Sequence, residues 1–187
     1  MVYTKFLANS NYYFILLNFD KELAIQDHKQ PCSSCGGKLN WANYPRKPRG
    51  DPLIPDEDII RFSLCCSNPG CRKRHTPESL RFLGRKVYLS VIITLLAAMM
   101  HGNTPKRASK LNQSIKVNYQ TLLRWRKWWL KEVPISSFWQ KVSGRFNGFF
   151  DTQILPLSLV EYFKIAEKGE EALTNLLRFI APLGREM

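Results

Sequence analysis

The sequence predicts a mainly α-helical protein with one small β-ribbon, followed by a helix-turn-helix and a C-terminal helical segment. Three observations predict this. The 5 cysteines all lie between Cys32 and Cys71, among short alternating runs of the kind that build small strands. The apolar run from Tyr88 to Met100 is followed by cap and stop residues that mark out further helices. From Ser79 to Lys131 there is no Asp or Glu. The 187 residues suit one ordinary domain or two small ones, and a hydrophobic fraction of 44% supplies a core.

Residues 1–28 are apolar and aromatic without a clean period, as expected of a strand or helix packed on the rest. The run Tyr12 to Leu17 is short, only Lys5 precedes it, and no small-residue cleavage site follows before Asp20, so a signal peptide is not expected. The run Tyr88 to Met100 also falls short of the roughly 20 residues that a bilayer span needs.

Residues 29–83 hold the cysteines. Cys32 and Cys35 are two residues apart with Gly36 and Gly37 beside them, so a tight reversal can aim backbone amides at the sulfurs. The second turn, Cys66-Ser-Asn-Pro-Gly-Cys71, is wider, yet Asn-Pro-Gly still specifies a reversal. The Pro-rich stretch Tyr44 to Pro52 between the two turns reads as a loop. Two such knuckles make a site of four thiolates, and disulfides are disfavoured in a cytosolic chain. The expected ligands of a structural zinc ion are Cys32, Cys35, Cys66 and Cys71, and the segment is expected to fold as a β zinc ribbon. Cys65 competes for the third position. Cys66 is preferred because it continues the face of Phe62 and Leu64. His75 is expected on the phosphate side or in solvent rather than among the ligands. A closed four-thiolate site leaves no open position for catalysis.

Residues 84–133 are expected to form the helix-turn-helix. Lys86 to Met100 is apolar almost all round, as in a buried central helix, and His101-Gly102-Asn103 ends it. Thr104 and Pro105 open a short second helix, Lys106 to Leu111. Asn118 caps a third helix running to about Glu132, closed by Pro134. Ala108, Leu111, Ile115, Leu122 and Trp125 occupy the inner positions of the pair. Leu122, Trp125 and Trp129 form one stripe of the third helix, and Gln120, Arg124, Lys127 and Lys131 form another. Trp128 is the tryptophan expected to be exposed. Residues 134–187 should add helices near Ser136–Arg145, Leu157–Lys168 and Glu170–Ile180.

The charge points to the partner. The 28 Lys and Arg outweigh 15 Asp and Glu, giving a net charge of +13. In the acid-free stretch lie Arg81, Arg85, Lys86, Lys106, Arg107, Lys110, Lys116, Arg124, Arg126, Lys127 and Lys131, where a merely solvated face would mix signs. The expected DNA contacts are Lys106, Arg107, Lys116, Asn118, Gln120, Thr121, Arg124, Lys127 and Lys131. An amide suits adenine, a guanidinium suits guanine, and ammonium groups suit phosphates.

The segments Cys32-Ser-Ser-Cys35-Gly, Phe62 to Pro77 and Thr121 to Trp129 together resemble the zinc-ribbon and helix-turn-helix regions of bacterial insertion-sequence transposases and of small mobile-element accessory proteins. The second cysteine segment also resembles the zinc ribbons of type I topoisomerases. The resemblance covers roughly residues 30 to 132. Such transposases carry three catalytic carboxylates on an RNase H-like sheet. This sequence has no strand-rich segment to bear them after the helix-turn-helix: Asp151, Glu161 and Glu167 fall on expected helices or turns. The expectation is therefore a non-enzymatic, cytoplasmic, nucleoid-associated protein that binds double-stranded DNA. A transposase or recombinase is its implied partner, and the C-terminal helices offer a route to self-association. The alternatives are an RNA- or single-strand-binding module and a plain transcriptional regulator.

Overall fold

The N-terminal segment is a helix, α1 (Ser10–His28), in the computed structural model, which describes residues 10–49, 59–101, 117–146 and 150–185. Its buried positions are Tyr12, Tyr13, Leu16, Asp20 and Ala24. That is an i, i+4 row, one face of a helix. The row escapes a hydrophobicity reading because a carboxylate stands in the middle of it, while Phe14, Ile15, Leu17 and Phe19 lie to either side.

Asp20 is fully buried because three donors surround it. Leu80 N–H donates to Oδ1 at 2.6 Å, and the Ser79 hydroxyl and Arg81 Nε donate to Oδ2, the latter at 2.7 Å. Arg81 also donates to the Tyr13 hydroxyl at 2.6 Å and to the Ile60 carbonyl at 2.7 Å. A buried pair of this kind persists only when its remaining polar atoms are satisfied, as they are here. Arg81 belongs to the acid-free run assigned above to a phosphate-facing surface. It has no solvent exposure and ties α1 to the chain beyond the cysteines.

The β elements are short. β1 (Leu39–Trp41), β4 (Leu64–Cys66) and β5 (Arg74–His75) form an antiparallel sheet with β4 in the middle, Leu39 opposite Cys66 and Leu64 opposite His75. β2 (Tyr44–Pro45) pairs with β3 (Ile60–Arg61) in a second antiparallel ladder. Cys32, Leu39, Leu64 and Cys66 make a small core of their own. Trp41 stacks on His28 at the end of α1, with centroids 4.7 Å apart.

α2 (Ser90–Met99) is buried from Ser90 to Ala98, as an apolar helix without a polar face must be. It packs against α3 (Tyr119–Lys127), α5 (Leu157–Tyr162) and α6 (Ile165–Ile180). One hydrophobic core joins Tyr12 and Leu16 of α1, Ile93 and Leu96 of α2, Trp125 and Trp129, and Leu159, Leu173 and Leu177. Between α3 and α5 lies α4 (Ser137–Val142), where Ser136 accepts the Trp139 N–H as N-cap.

The C-terminal helices differ in register from expectation. α5 stops at Tyr162, and Lys164 takes a left-handed conformation (φ 53°). α6 then starts at Ile165 and is kinked at Gly169, whose non-helical backbone (φ 64°) separates the two helical pieces where the glycine was expected to. The lysine turn buries Ile165 completely, a gain that offsets the roughly 1–2 kcal/mol cost of its backbone. No helix among the described residues is long and apolar enough to cross a membrane.

Candidate metal centre and basic helix face

The two cysteine turns are held by their own backbone bonds. Gly36 N–H donates to Cys32 O and Cys32 N–H to Gly37 O, both at 2.8 Å, which closes the first reversal. Gly36 has φ +72°, the left-handed conformation a glycine adopts without cost. In the second, Cys71 N–H and Arg72 N–H both donate to Asn68 O at 3.0 Å, and Gly70 N–H donates to Asn68 Oδ1 at 3.0 Å. Two strand-like bonds set the turns side by side: Cys66 N–H to Lys73 O at 3.0 Å and Ser67 N–H to Lys38 O at 2.9 Å. Gly37 lies close against the cluster, since a Cβ there would stand 3.1 Å from Cys66 Sγ and crowd it.

The result is a cluster in which the sulfurs of Cys32, Cys35, Cys66 and Cys71 all lie within 4.8 Å of one another. Cys35 and Cys66 are 3.4 Å apart, and Cys32 and Cys71 are 3.9 Å apart. A tetrahedral ion with metal–sulfur bonds of about 2.3 Å needs sulfur–sulfur edges of about 3.8 Å, so this set could hold a metal ion. Cys65 points away, its thiol directed at Arg72 O at 3.4 Å. Strand alternation puts Cys66 beside Leu64 in the small core and turns Cys65 outward.

His75, expected on the phosphate side or in solvent and outside the ligands, lies against the cluster without joining its four sulfurs. Opposite Leu64 on β5, it is half-buried with Nε2 3.2 Å from Cys32 Sγ. Its ring supports the thiolate from outside the set of four sulfurs. The electrostatics of the cluster are asymmetric. The backbone N–H of Ser34, opposed by burial and helped by His75, draws the Cys32 thiol down to about 6. At Cys66 the Asn68 N–H lowers the pKa, but burial and the thiols of Cys35, Cys32 and Cys71 outweigh it and push it up to about 12. Cys71 is raised too, the Lys73 N–H being outweighed by Cys35, burial and Cys32. Binding of a cation by Cys66 and Cys71 would therefore displace their protons.

The second feature is α3. Asn118 caps it, Oδ1 accepting the Gln120 N–H at 2.8 Å. No acid occupies its first turn, and Arg124, Arg126 and Lys127 in its last turn complement the helix dipole. Leu122, Trp125 and Trp129 are buried, as the i, i+3, i+7 stripe requires. Trp125 meets the Tyr88 ring edge-on at 4.9 Å. Gln120, Arg124, Lys127 and Lys131 are all exposed. Beyond Lys127 the helix widens into a π-turn, Trp128–Glu132, closed by a bond from Val133 N–H to Trp128 O at 3.1 Å. Trp128 is the most exposed tryptophan of the three, half-buried with Lys86 Nζ 4.4 Å above its ring. Lys86 is thereby desolvated and its pKa lowered, so it is spent on packing rather than on the basic surface.

Two of the expected contacts have local partners. The Asn118 side-chain oxygen is committed to the cap, and the Thr121 hydroxyl accepts from Arg124 Nη2 at 3.0 Å. Lys106, Arg107 and Lys116, with Ala108, Leu111 and Ile115 of the expected first helix and turn, lie outside the described residues. Sequence reasoning missed the buried Asp20–Arg81 pair and a second buried arginine, Arg61. Nothing in residue spacing marks Arg61, which sits on a two-residue strand after a loop. Comparison of the chain with protein-family models, curated proteins and solved structures finds no match.

Proposed function

We propose that this is a zinc-stabilised protein that binds duplex DNA, acting as an accessory or regulatory factor beside a mobile element. The observation that carries the DNA reading is the division of α3. One side is locked into the main core by Leu122, Trp125 and Trp129, while Gln120, Arg124 and Lys127 project into solvent on a helix with no acid. A major groove admits one α-helix, and an amide, a guanidinium and an ammonium group offer donors to base edges and phosphates. Zinc is the ion of choice for four thiolates at this spacing, since soft sulfur ligands in a closed tetrahedral set favour it and leave no position for chemistry. Its role is to hold the two cysteine turns together. The motif resemblance to insertion-sequence transposases supports the setting beside a mobile element.

The test is a sequence-selection experiment on zinc-loaded protein, with duplex DNA, single-stranded DNA and RNA of the same sequence as competitors. Duplex should compete best, and the selected sites should share a short motif. Preferential capture of single strands, or selection of no motif, would replace this reading with a single-strand-binding module.

A further inference from the structure

A pocket of about 400 Å³ lies where the second ladder, β5, the turn at Gly84 and the C-terminal turn meet. Among the described residues its walls carry Arg46, Arg61, Arg74, Arg85 and Arg185 against one carboxylate, Glu78. Glu78 is engaged by Arg185 Nε at 3.2 Å. Among the described residues Arg46, Arg61, Arg74 and Arg85 form no ion pair.

Arg61 is the unusual member. It is only 2% exposed, and Nη2 donates to the Pro77 carbonyl at 2.6 Å, but Nε and Nη1 are buried with no hydrogen-bond partner among the described residues. The nearby carboxylate of Asp20 offsets part of the Arg61 charge, but its hydrogen bonds go to Leu80 N–H, Ser79 and Arg81. A guanidinium does not shed its proton at neutral pH, so the charge stays. Leaving donors and a cation buried in this way is costly unless something supplies the missing acceptor. Arg46 and Arg74 are held by neutral acceptors. Arg46 donates to Lys86 O at 2.8 Å, and Arg74 donates to Ala42 O and Ser63 Oγ at 3.1 Å. Arg85 is exposed beside them.

We propose that this pocket binds a phosphate group. Guanidinium forks pair with carboxylate and phosphate alike, but a carboxylate's two oxygens satisfy one fork, whereas a tetrahedral dianion can accept from several converging arginines. The volume exceeds that of phosphate alone and lies in the range of small-ligand sites, which leaves room for an attached sugar. The two sources of such a phosphate to be distinguished are a free nucleotide and the end of a nucleic-acid strand. No residue of α3 lines the pocket, so the inference stands whether or not that helix reads DNA.

Calorimetry and thermal melting of the metal-loaded protein test this with pyrophosphate, AMP, acetate, and a short oligonucleotide with either a 5′-phosphate or a 5′-hydroxyl, all at matched chloride. The phosphate-bearing probes should bind and raise the melting temperature, and acetate should not. AMP binding with no preference between the oligonucleotides identifies a free nucleotide as the source, while a preference for the 5′-phosphorylated strand identifies a strand end. Arg85→Ala should weaken phosphate binding about tenfold or more with helical signal and metal content unchanged, and Arg124→Ala should leave it unaltered. Arg61→Met should abolish the phosphate-dependent rise without lowering the melting temperature of the free protein, because an unpaired buried charge is replaced by an apolar chain of similar reach. No binding above matched chloride, equal binding of acetate, or unchanged phosphate affinity in Arg85→Ala would overturn the proposal.

Discussion

Cys65 and Cys66 are adjacent, yet only one faces the cluster, and the difference is a single step of strand alternation on β4. Cys66→Ser should therefore abolish stoichiometric metal, as should Cys32→Ser with Cys35→Ser, while Cys65→Ser retains it. Elemental analysis of protein purified without chelator decides this, and full metal in the double variant contradicts the assignment. Loading should also release protons from the raised thiols of Cys66 and Cys71, and acid should expel the ion. Tyr12 gives an independent residue-scale prediction. Burial raises its pKa above the phenol's usual value, against a hydrogen bond with the Thr174 hydroxyl that lowers it. Below pH about 10 both folded and unfolded states hold the proton, so no dependence arises. Above it the unfolded chain ionises first, and stability falls by at most about 1.4 kcal/mol per pH unit from this group. Chemical denaturation of Tyr12→Phe at rising pH should show a flatter alkaline limb, and an unchanged limb would assign the effect elsewhere. At this scale the cysteine set was legible, because ligand spacing is a local property. Asp20, Arg81, Arg61 and the ring of His75 were not, because their partners lie 16 to 68 residues away along the chain.

At the scale of elements, caps and stops carried most of the information. Asn118 and Ser136 act as N-caps where their sequence neighbours indicate, and Pro134 follows the end of the π-turn. The π-turn itself was hidden, since two adjacent tryptophans with one buried and one half-covered have no distinctive spacing. The Lys164 break was hidden for a similar reason: Ile165 burial, a tertiary gain, outweighs a local preference that would have placed the interruption at Gly169 alone. α3 yields a paired prediction. Trp125→Ala removes a large buried side chain and should cost roughly 3–5 kcal/mol of folding stability, visible as a lower denaturation midpoint. Arg124→Ala changes an exposed residue, so the protein should stay folded and lose about 1–3 kcal/mol of affinity at its preferred site with relaxed preference at one base pair. If Arg124→Ala weakened every sequence equally, the residue would be a phosphate contact and the helix would lie differently in the groove.

On the whole-molecule scale, a continuous hydrophobic core links α1, α2, α3 and the C-terminal helices, and the Asp20–Arg81 pair fastens the chain after the cysteine turns to α1. The exposed face of α3 is thus carried on this core, in a chain of net charge +13. The central claim is that this face contacts the phosphates and base edges of duplex DNA. The most direct measurement is fluorescence anisotropy of a labelled duplex with metal-loaded protein, from about 50 to about 200 mM salt, for the wild type and for a Gln120→Ala, Arg124→Ala, Lys127→Ala variant. For roughly six to ten phosphate contacts, log affinity should fall against log salt with a slope of roughly −5 to −9, and the variant should bind more weakly with a shallower slope. A slope near zero, or a folded variant that binds with the wild-type affinity and slope, would contradict it.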